Sequence, residues 1–400
     1  MHFQMRENPR KNILFYLSGH GFGHAVRQIE IMKEIFKKNI EYNCEFNIFV
    51  RTAAPEWLFA NSFGHYFSEY FRQRQRQYDK KYWSERFRFS HLINDVGTIQ
   101  KDSLNIDSDA TLRNARKFYL NIPKLAETEY SFIRANKIDI VVGDITPLAF
   151  AAANGTRIPA IGITNFSWDY IYEGFLDEHP AFEEVIDCLK TYYSRCDLLL
   201  KLPYSCPLDA FPKSKDVPLL ARTPYLSRED VFDILNYDPK DFENKKTAMI
   251  SFGGFDTNGL KLNALNDFKD FIFLTTLPPD SVSGYPENVR YVDTSTAGIS
   301  FENLFKIFDV IITKPGYGVV GDIICADSRC IYTDRGNFKE YDFLVSCLNN
   351  HARSAVYIER EKLLNCELSV ALNAAFNENT NRSIIDTNGA RCCAEIICAY

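Results

Sequence analysis

Ser18-Gly19-His20-Gly21-Phe22-Gly23-His24 stands between an apolar run, Asn12 to Leu17, and a stretch from Arg27 to Lys38 in which Ile29, Met32, Ile35 and Phe36 recur at helical spacing. A short apolar run of this kind suits a strand buried on both faces of a parallel sheet. Closely spaced glycines let the chain turn tightly and come near a ligand, and the helix that follows offers free N–H groups to an anion. The spacing G-x-G-x-G is neither the dinucleotide fingerprint nor a phosphate-binding P-loop. His24 falls at or just inside the first helical turn and is a candidate general base. His20, with Gly21 and Gly23, is a candidate for holding an anion or orienting a substrate.

The same alternation continues along the chain. Strand candidates in the first half are Asn12 to Leu17, Glu45 to Arg51, Ile138 to Gly143, Pro159 to Thr164 and Asp197 to Leu202, with helical stretches between several of them. The stretch from Thr111 to Ala135 reads as one extended or broken helix. A proline-rich passage, Leu202 to Pro212 and Val217 to Pro224, reads as a crossover, and a second series follows. Its strands are expected at Thr247 to Phe252, Phe271 to Thr275, Val289 to Val292, Asp309 to Thr313 and Arg329 to Thr333. Its helices are expected at Asn258 to Phe268, Phe301 to Phe308, Val319 to Ala326, Lys339 to Asn349 and Leu368 to Phe376. The fold class is therefore α/β, two Rossmann-like doubly wound domains over residues 1–220 and 221–400, with a cleft between them as the expected site. A length of 400 residues fits two such domains.

Each strand end carries something polar. Ser251-Phe252-Gly253-Gly254-Phe255-Asp256 repeats the strand-turn-helix context of the first loop. Thr313-Lys314-Pro315-Gly316-Tyr317-Gly318 leads into a helix with Asp322 about one turn in, where a carboxylate can accept hydrogen bonds from a ribose diol while backbone N–H groups hold phosphate. Arg335 and Glu340 follow the next strand and could address phosphate or sugar hydroxyls. Together these residues describe a nucleotide-sugar pocket. In the first half, Asp144 closes a strand and is the second candidate for catalysis, helix capping being the competing reading. Asn165, Trp168 and Asp169 close another and could form an acceptor surface, with core packing the alternative for Trp168.

Two further motifs read more plainly. Asp107-Ser108-Asp109 has a D-x-D form, but it precedes a helical stretch in which Ser108 or Asp109 would cap the N-terminus. Tyr66 to Phe89 interleaves basic residues with aromatics and reads as a solvated amphipathic connection, with a site for a phosphate-bearing acceptor or a nucleic acid as the alternative. Globally, 46 basic against 52 acidic side chains leave a net charge of -6, which does not draw the chain to nucleic acid or to anionic membranes. The start is polar and no run reaches the length of a membrane span. Eleven scattered cysteines fit reduced core thiols, so the expectation is a cytoplasmic protein with no nucleic-acid partner, no transmembrane segment and no metal site.

GHGFGHAVR, DIVVGDITP, TNFSWDYIY, LPYSCPLDAFP, ISFGGF and KPGYGVVGD, in this order, resemble the amino-terminal, glycosyltransferase-like region of plant L-arabinokinases. More distantly, the paired glycine loops resemble the metal-independent glycosyltransferases related to the N-acetylglucosaminyltransferase of peptidoglycan synthesis. The resemblance implies the GT-B fold: an acceptor-side domain first, a nucleotide-sugar domain second, and a chain end packed back across the cleft. By position it implies that His24 closes the first glycine loop, that Gly253 and Gly254 belong to the donor loop, and that Asp322 stands where the family has a ribose-binding glutamate. No galactokinase-type sequence with a glycine-serine ATP loop is present, so kinase activity is not implied. The implied reaction is inverting transfer of a sugar from a UDP-sugar donor, the co-substrate, to an unknown hydroxyl-bearing acceptor (small molecule, glycan or lipid-linked), with no obligatory cofactor. Thr313, Gly316, Gly318, Asp322, Arg335 and Glu340 would hold the donor, and His24 or Asp144 would take the proton. GFGHAVRQ also resembles the UDP-sugar hydrolase of pseudaminic acid synthesis, which gives a hydrolase as the alternative, with an inactive nucleotide-sugar-binding regulator as a third reading.

Overall fold

The computed structural model describes residues 10–100, 106–252, 260–276, 285–336, 338–377 and 382–400. Strands β1 (Arg10–Leu17), β2 (Glu45–Thr52), β3 (Phe87–His91), β4 (Ile140–Asp144), β5 (Ala160–Thr164), β6 (Leu198–Lys201) and β7 (Ser214–Asp216) form one sheet in the order β3-β2-β1-β4-β5-β6-β7. Strands β8 (Lys246–Ile250), β9 (Phe271–Thr275), β10 (Val289–Tyr291), β11 (Val310–Thr313), β12 (Arg329–Tyr332) and β13 (Ser354–Tyr357) form a second, in the order β10-β9-β8-β11-β12-β13. All neighbouring pairs are parallel, as strands of near-continuous apolar sequence require when helices cover both faces. Ile13 to Leu17 of β1 have no exposed surface at all.

Strand order reverses between β1 and β4 in the first sheet and between β8 and β11 in the second. At such a switch point the two adjoining loops run apart and leave a crevice beyond the strands' carboxyl ends. The loops at these two crevices are the ones singled out in the sequence.

Helix α1 (Gly23–Tyr42) joins the halves. Its Val26 and Ile29 share one apolar cluster with Leu219, Leu220, Val320, Ile323 and Ile397. At the crossing, a Cβ on Gly321 would lie 2.8 Å from the Ala221 methyl, so glycine is what lets the helix Tyr317–Cys325 seat on the crossover segment. The last helix, Gly389–Ala399, returns from the second half to pack on α1, and Lys11 Nζ donates to the Cys398 carbonyl at 3.0 Å. All eleven cysteines are unpaired. Among the described residues no helix is long and apolar enough to cross a membrane.

Several expectations are corrected. Tyr66 to Phe89 is amphipathic with its basic residues toward solvent, but it is more than a connection: Phe67 and Phe71 continue the buried face that Phe59 and Phe63 begin on α2 (Glu56–Gln73), and Phe87 begins edge strand β3. The cap of the helix Ser108–Tyr119 is Asp107, whose carboxylate accepts from Ala110 N–H at 3.0 Å, one residue earlier than expected. Of the two readings of Thr111 to Ala135, the broken helix is the one found, with Ile122–Ala135 restarting on a proline in its first turn. Only a 3-10 turn, Leu262–Asp267, occupies the described part of the helix expected at 258–268.

Candidate active site at the facing strand ends

Leu17 and Asp144 are register partners at the ends of β1 and β4, which brings the first glycine loop beside the Asp144 carboxylate. Directly after Asp144 the chain turns through Ile145 at φ +67°, a left-handed conformation uncommon for a β-branched residue. The Tyr193 hydroxyl pins this turn by donating to the Ile145 carbonyl at 2.7 Å. Asp144 is thereby held fully buried against the first turns of α1.

From α1, His24, Arg27 and Gln28 sit three and four residues apart on one face and converge on that carboxylate. Asp144 accepts from His24 Nδ1 at 2.9 Å, Arg27 Nε at 2.7 Å, Gln28 Nε2 at 2.9 Å and, in addition, from Arg27 Nη2. Burial pushes the Asp144 carboxyl up, but the Arg27 and His24 groups against it outweigh burial and hold it well below the usual carboxylate range. An ionised carboxylate only accepts, so Nδ1 of His24 carries a hydrogen, and in the neutral ring the lone pair is then on Nε2. Nε2 has no hydrogen-bond partner among the described residues, and His24 lines the cavity in front of it.

Arg27 reaches further. Its Nη1 donates to Asn165 Oδ1 at 2.8 Å, Asn165 Nδ2 donates to Glu340 Oε1 at 2.7 Å, and Arg335 Nη1 donates to Glu340 Oε2 at 2.8 Å. The loop after β12 is thus wired to Asp144 through buried side chains. Asn165 is an internal link of this chain, fully buried, instead of part of an open acceptor surface. Trp168 is also fully buried, donating to Asp95 at 3.0 Å and stacked on Tyr172, so packing is its role. Its edge supports the ring of His20 at 5.9 Å.

The opposite wall comes from the second sheet. The Thr313 hydroxyl donates to the Ser251 carbonyl at 2.7 Å and ties the loop after β11 to that after β8. Thr313, Lys314, Gly316, Gly318, Arg335 and Glu340 face His20, Gly21, Gly23 and His24 across one cavity of about 420 Å³. Gly253 and Gly254 lie outside the described residues. Burial, with His24, Arg335 and Lys314 nearby, pulls His20 down to about 4. Cationic and imidazole groups from both sheets therefore meet at one corner, beside the N-terminus of the helix Tyr317–Cys325.

Asp322 is not in the cavity wall. It is fully buried, and Arg222 takes both carboxylate oxygens, through Nε at 3.1 Å, its backbone N–H at 3.3 Å and Nη2. Arg222, which does line the cavity, satisfies the group expected to meet a ribose. Arg27, Lys314, Arg222 and Glu302 are site residues that the sequence reading passed over. Arg27 and Gln28, one helical turn beyond His24, carried a usable signal: polar residues among the apolar positions of a core helix. Among the described residues no three His, Cys, Asp or Glu side chains gather as metal ligands would.

No protein-family model matches the chain. It is 26% identical over 353 residues, 88% of its length, to the L-arabinokinase of Arabidopsis thaliana, and it spans 31% of that protein. Among solved structures it superposes on CalG4, the calicheamicin glycosyltransferase, with a TM-score of 0.58, 14% identity and 98% of each chain covered. The Polygonum tinctorium UDP-glucosyltransferase that glucosylates indoxyl gives 0.57 at 11% identity, over 98% of this chain and 94% of that one. Arabidopsis thaliana UGT89C1 complexed with UDP gives 0.55 at 11% identity, over 98% and 99%. Homologous over most of its length to a plant L-arabinokinase, the chain has the two-domain α/β fold of the GT-B glycosyltransferases.

Proposed function

We propose that this chain is a glycosyltransferase that moves a sugar from a nucleotide donor, a UDP-sugar, to an acceptor hydroxyl. The observation that carries the reading is His24, fixed at Nδ1 by buried Asp144, with Nε2 turned into a cavity whose far wall holds Lys314, Arg335 and a helix N-terminus. An acceptor hydroxyl placed at Nε2 gives its proton to the imidazole as its oxygen attacks the anomeric carbon. The bond from that carbon to the diphosphate oxygen breaks on the opposite face, which inverts the centre, and the electron pair leaves with the diphosphate. Lys314, Arg335 and the N–H groups around Gly316 and Gly318 receive that charge, the part a divalent cation plays in metal-dependent enzymes. Asp144 acts as the positioning residue for His24, since its own oxygens are occupied.

Calorimetric titration with UDP, TDP and GDP, with and without Mg²⁺, tests the donor site; failure of every nucleoside diphosphate to bind removes it. His24→Ala is expected to lower turnover about 10²- to 10⁴-fold while nucleotide affinity changes little. Unchanged turnover would take the base away from His24. Sugar release to water without any acceptor would assign the same site to hydrolysis.

A further inference from the structure

Glu302 lies in the short helix Phe301–Leu304 that follows β10, with its side chain only 5% exposed and facing the same cavity. Its nearest cations, Lys33 Nζ at 3.6 Å and Arg222 Nη1 at 3.7 Å, stand beyond hydrogen-bond length. No hydrogen bond from a described residue reaches this carboxylate, so its acceptor positions are left to whatever occupies the cavity. Across from it, His65 of α2 also lines the cavity, with Nδ1 buried and without a partner.

The charge around this end differs from that at the His24 end. Glu30, Glu302 and Asp322 set three carboxylates against the two cations Lys33 and Arg222. An anion is repelled there, whereas neutral hydroxyl donors are welcomed. Along α1 the two ends are marked by His24 and Glu30, six residues apart and so about 9 Å at the helical rise. That separation is comparable to the reach from the diphosphate to the ribose hydroxyls of one nucleotide.

We propose that Glu302, and not Asp322, accepts the ribose hydroxyls of the donor nucleoside diphosphate, with the diphosphate at the Lys314–Arg335 corner. The assignment rests on the donor reading above. Asp322 instead holds Arg222, which steadies Glu302 from behind.

Calorimetry on the full chain with UDP and with 2′,3′-dideoxy-UDP tests it. The unaltered protein should bind UDP about tenfold or more tightly than the dideoxy analogue, the worth of a hydrogen bond to a charged group. Glu302→Gln should weaken UDP by a similar factor, leave the analogue within about threefold and so erase the preference. Equal affinity of the unaltered protein for both ligands overturns the assignment whatever the variant does, as does a preference that survives in a Glu302→Gln protein with an unchanged melting temperature. If neither ligand binds the unaltered protein, the donor reading itself falls and this assignment with it.

Discussion

Asp144→Asn preserves the shape of the side chain and removes its charge, and the structure says what that should cost. Four donor contacts enter the carboxylate, two from Arg27 and one each from His24 and Gln28. An amide in its place loses one acceptor oxygen and points its own N–H groups at donors. Arg27, 3% exposed, keeps Asn165 as its remaining hydrogen-bonded partner outside this cluster, and that partner is neutral. Removing one member of such a buried pair costs about 3–5 kcal/mol, a large share of the roughly 5–15 kcal/mol that holds a native chain together. Two domains need not unfold in one step. The three tryptophans, Trp57, Trp83 and Trp168, all lie in the first half, so urea unfolding followed by their fluorescence reads the half that holds Asp144. The sign with pH is also fixed. Because the folded-state carboxyl is held below its unfolded value, its contribution is complete above about pH 4 and is lost as the pH falls through the folded value. Variant and unaltered protein should therefore differ most at neutral pH and converge in acid. A loss below about 1 kcal/mol at pH 7 would show that the carboxylate is not the hub of this cluster.

Two other outcomes follow from the loop geometry. His20, pulled down to about 4 by burial and by His24, Arg335 and Lys314, should stay neutral in the folded chain while the unfolded chain protonates near 6.5. Stability then falls as pH drops from about 6.5 to about 4, by about 3 kcal/mol from ~2.5 pH units at 1.36 kcal/mol each, and an NMR titration showing the ring near its ordinary value would refute this. Gly97 has φ +54°, and a Cβ there would fall 2.4 Å from His20 Cγ. Gly97→Ala should therefore cost at least about 1 kcal/mol and change Trp168 fluorescence by displacing the ring between them; unaltered melting and emission would contradict the packing.

The fold was largely legible because parallel strands buried on both faces write themselves as apolar runs. Ten strands were expected within a residue or two of where they lie, β1, β4, β5 and β11 among them. The three that escaped share a physical reason. β7 is Ser214-Lys215-Asp216, wholly exposed, and hydrogen-bonds at the sheet edge without an apolar residue to announce it. β13 is at an edge of the second sheet, and β3, Phe87–His91, at the far edge of the first, was hidden behind a dense run of basic residues whose charges face solvent while the phenylalanines turn inward. Edge strands need only one buried face or none, and their pattern is correspondingly faint.

The site was legible as places more than as partnerships. Strand ends followed by glycine turns marked where ligands go, since backbone geometry is local. What each polar side chain bonds to depends on residues more than a hundred positions away, as with His24 and Asp144 or Asn165 and Glu340. His24 and Asp144 were read as rivals for one task, whereas a 2.9 Å contact joins them in one buried cluster. Asp322 shows the converse. Its place about one turn into the helix after β11 suggested a ribose contact, but a position specifies a role only if the neighbourhood leaves the group unpaired. Here Arg222, delivered by the crossover between the halves, has already satisfied it behind the cavity wall, while Glu302, in the wall itself, accepts no hydrogen bond from a described residue. Which carboxylate is left open to the cavity is therefore decided by the packing of both halves, not by the motif of either.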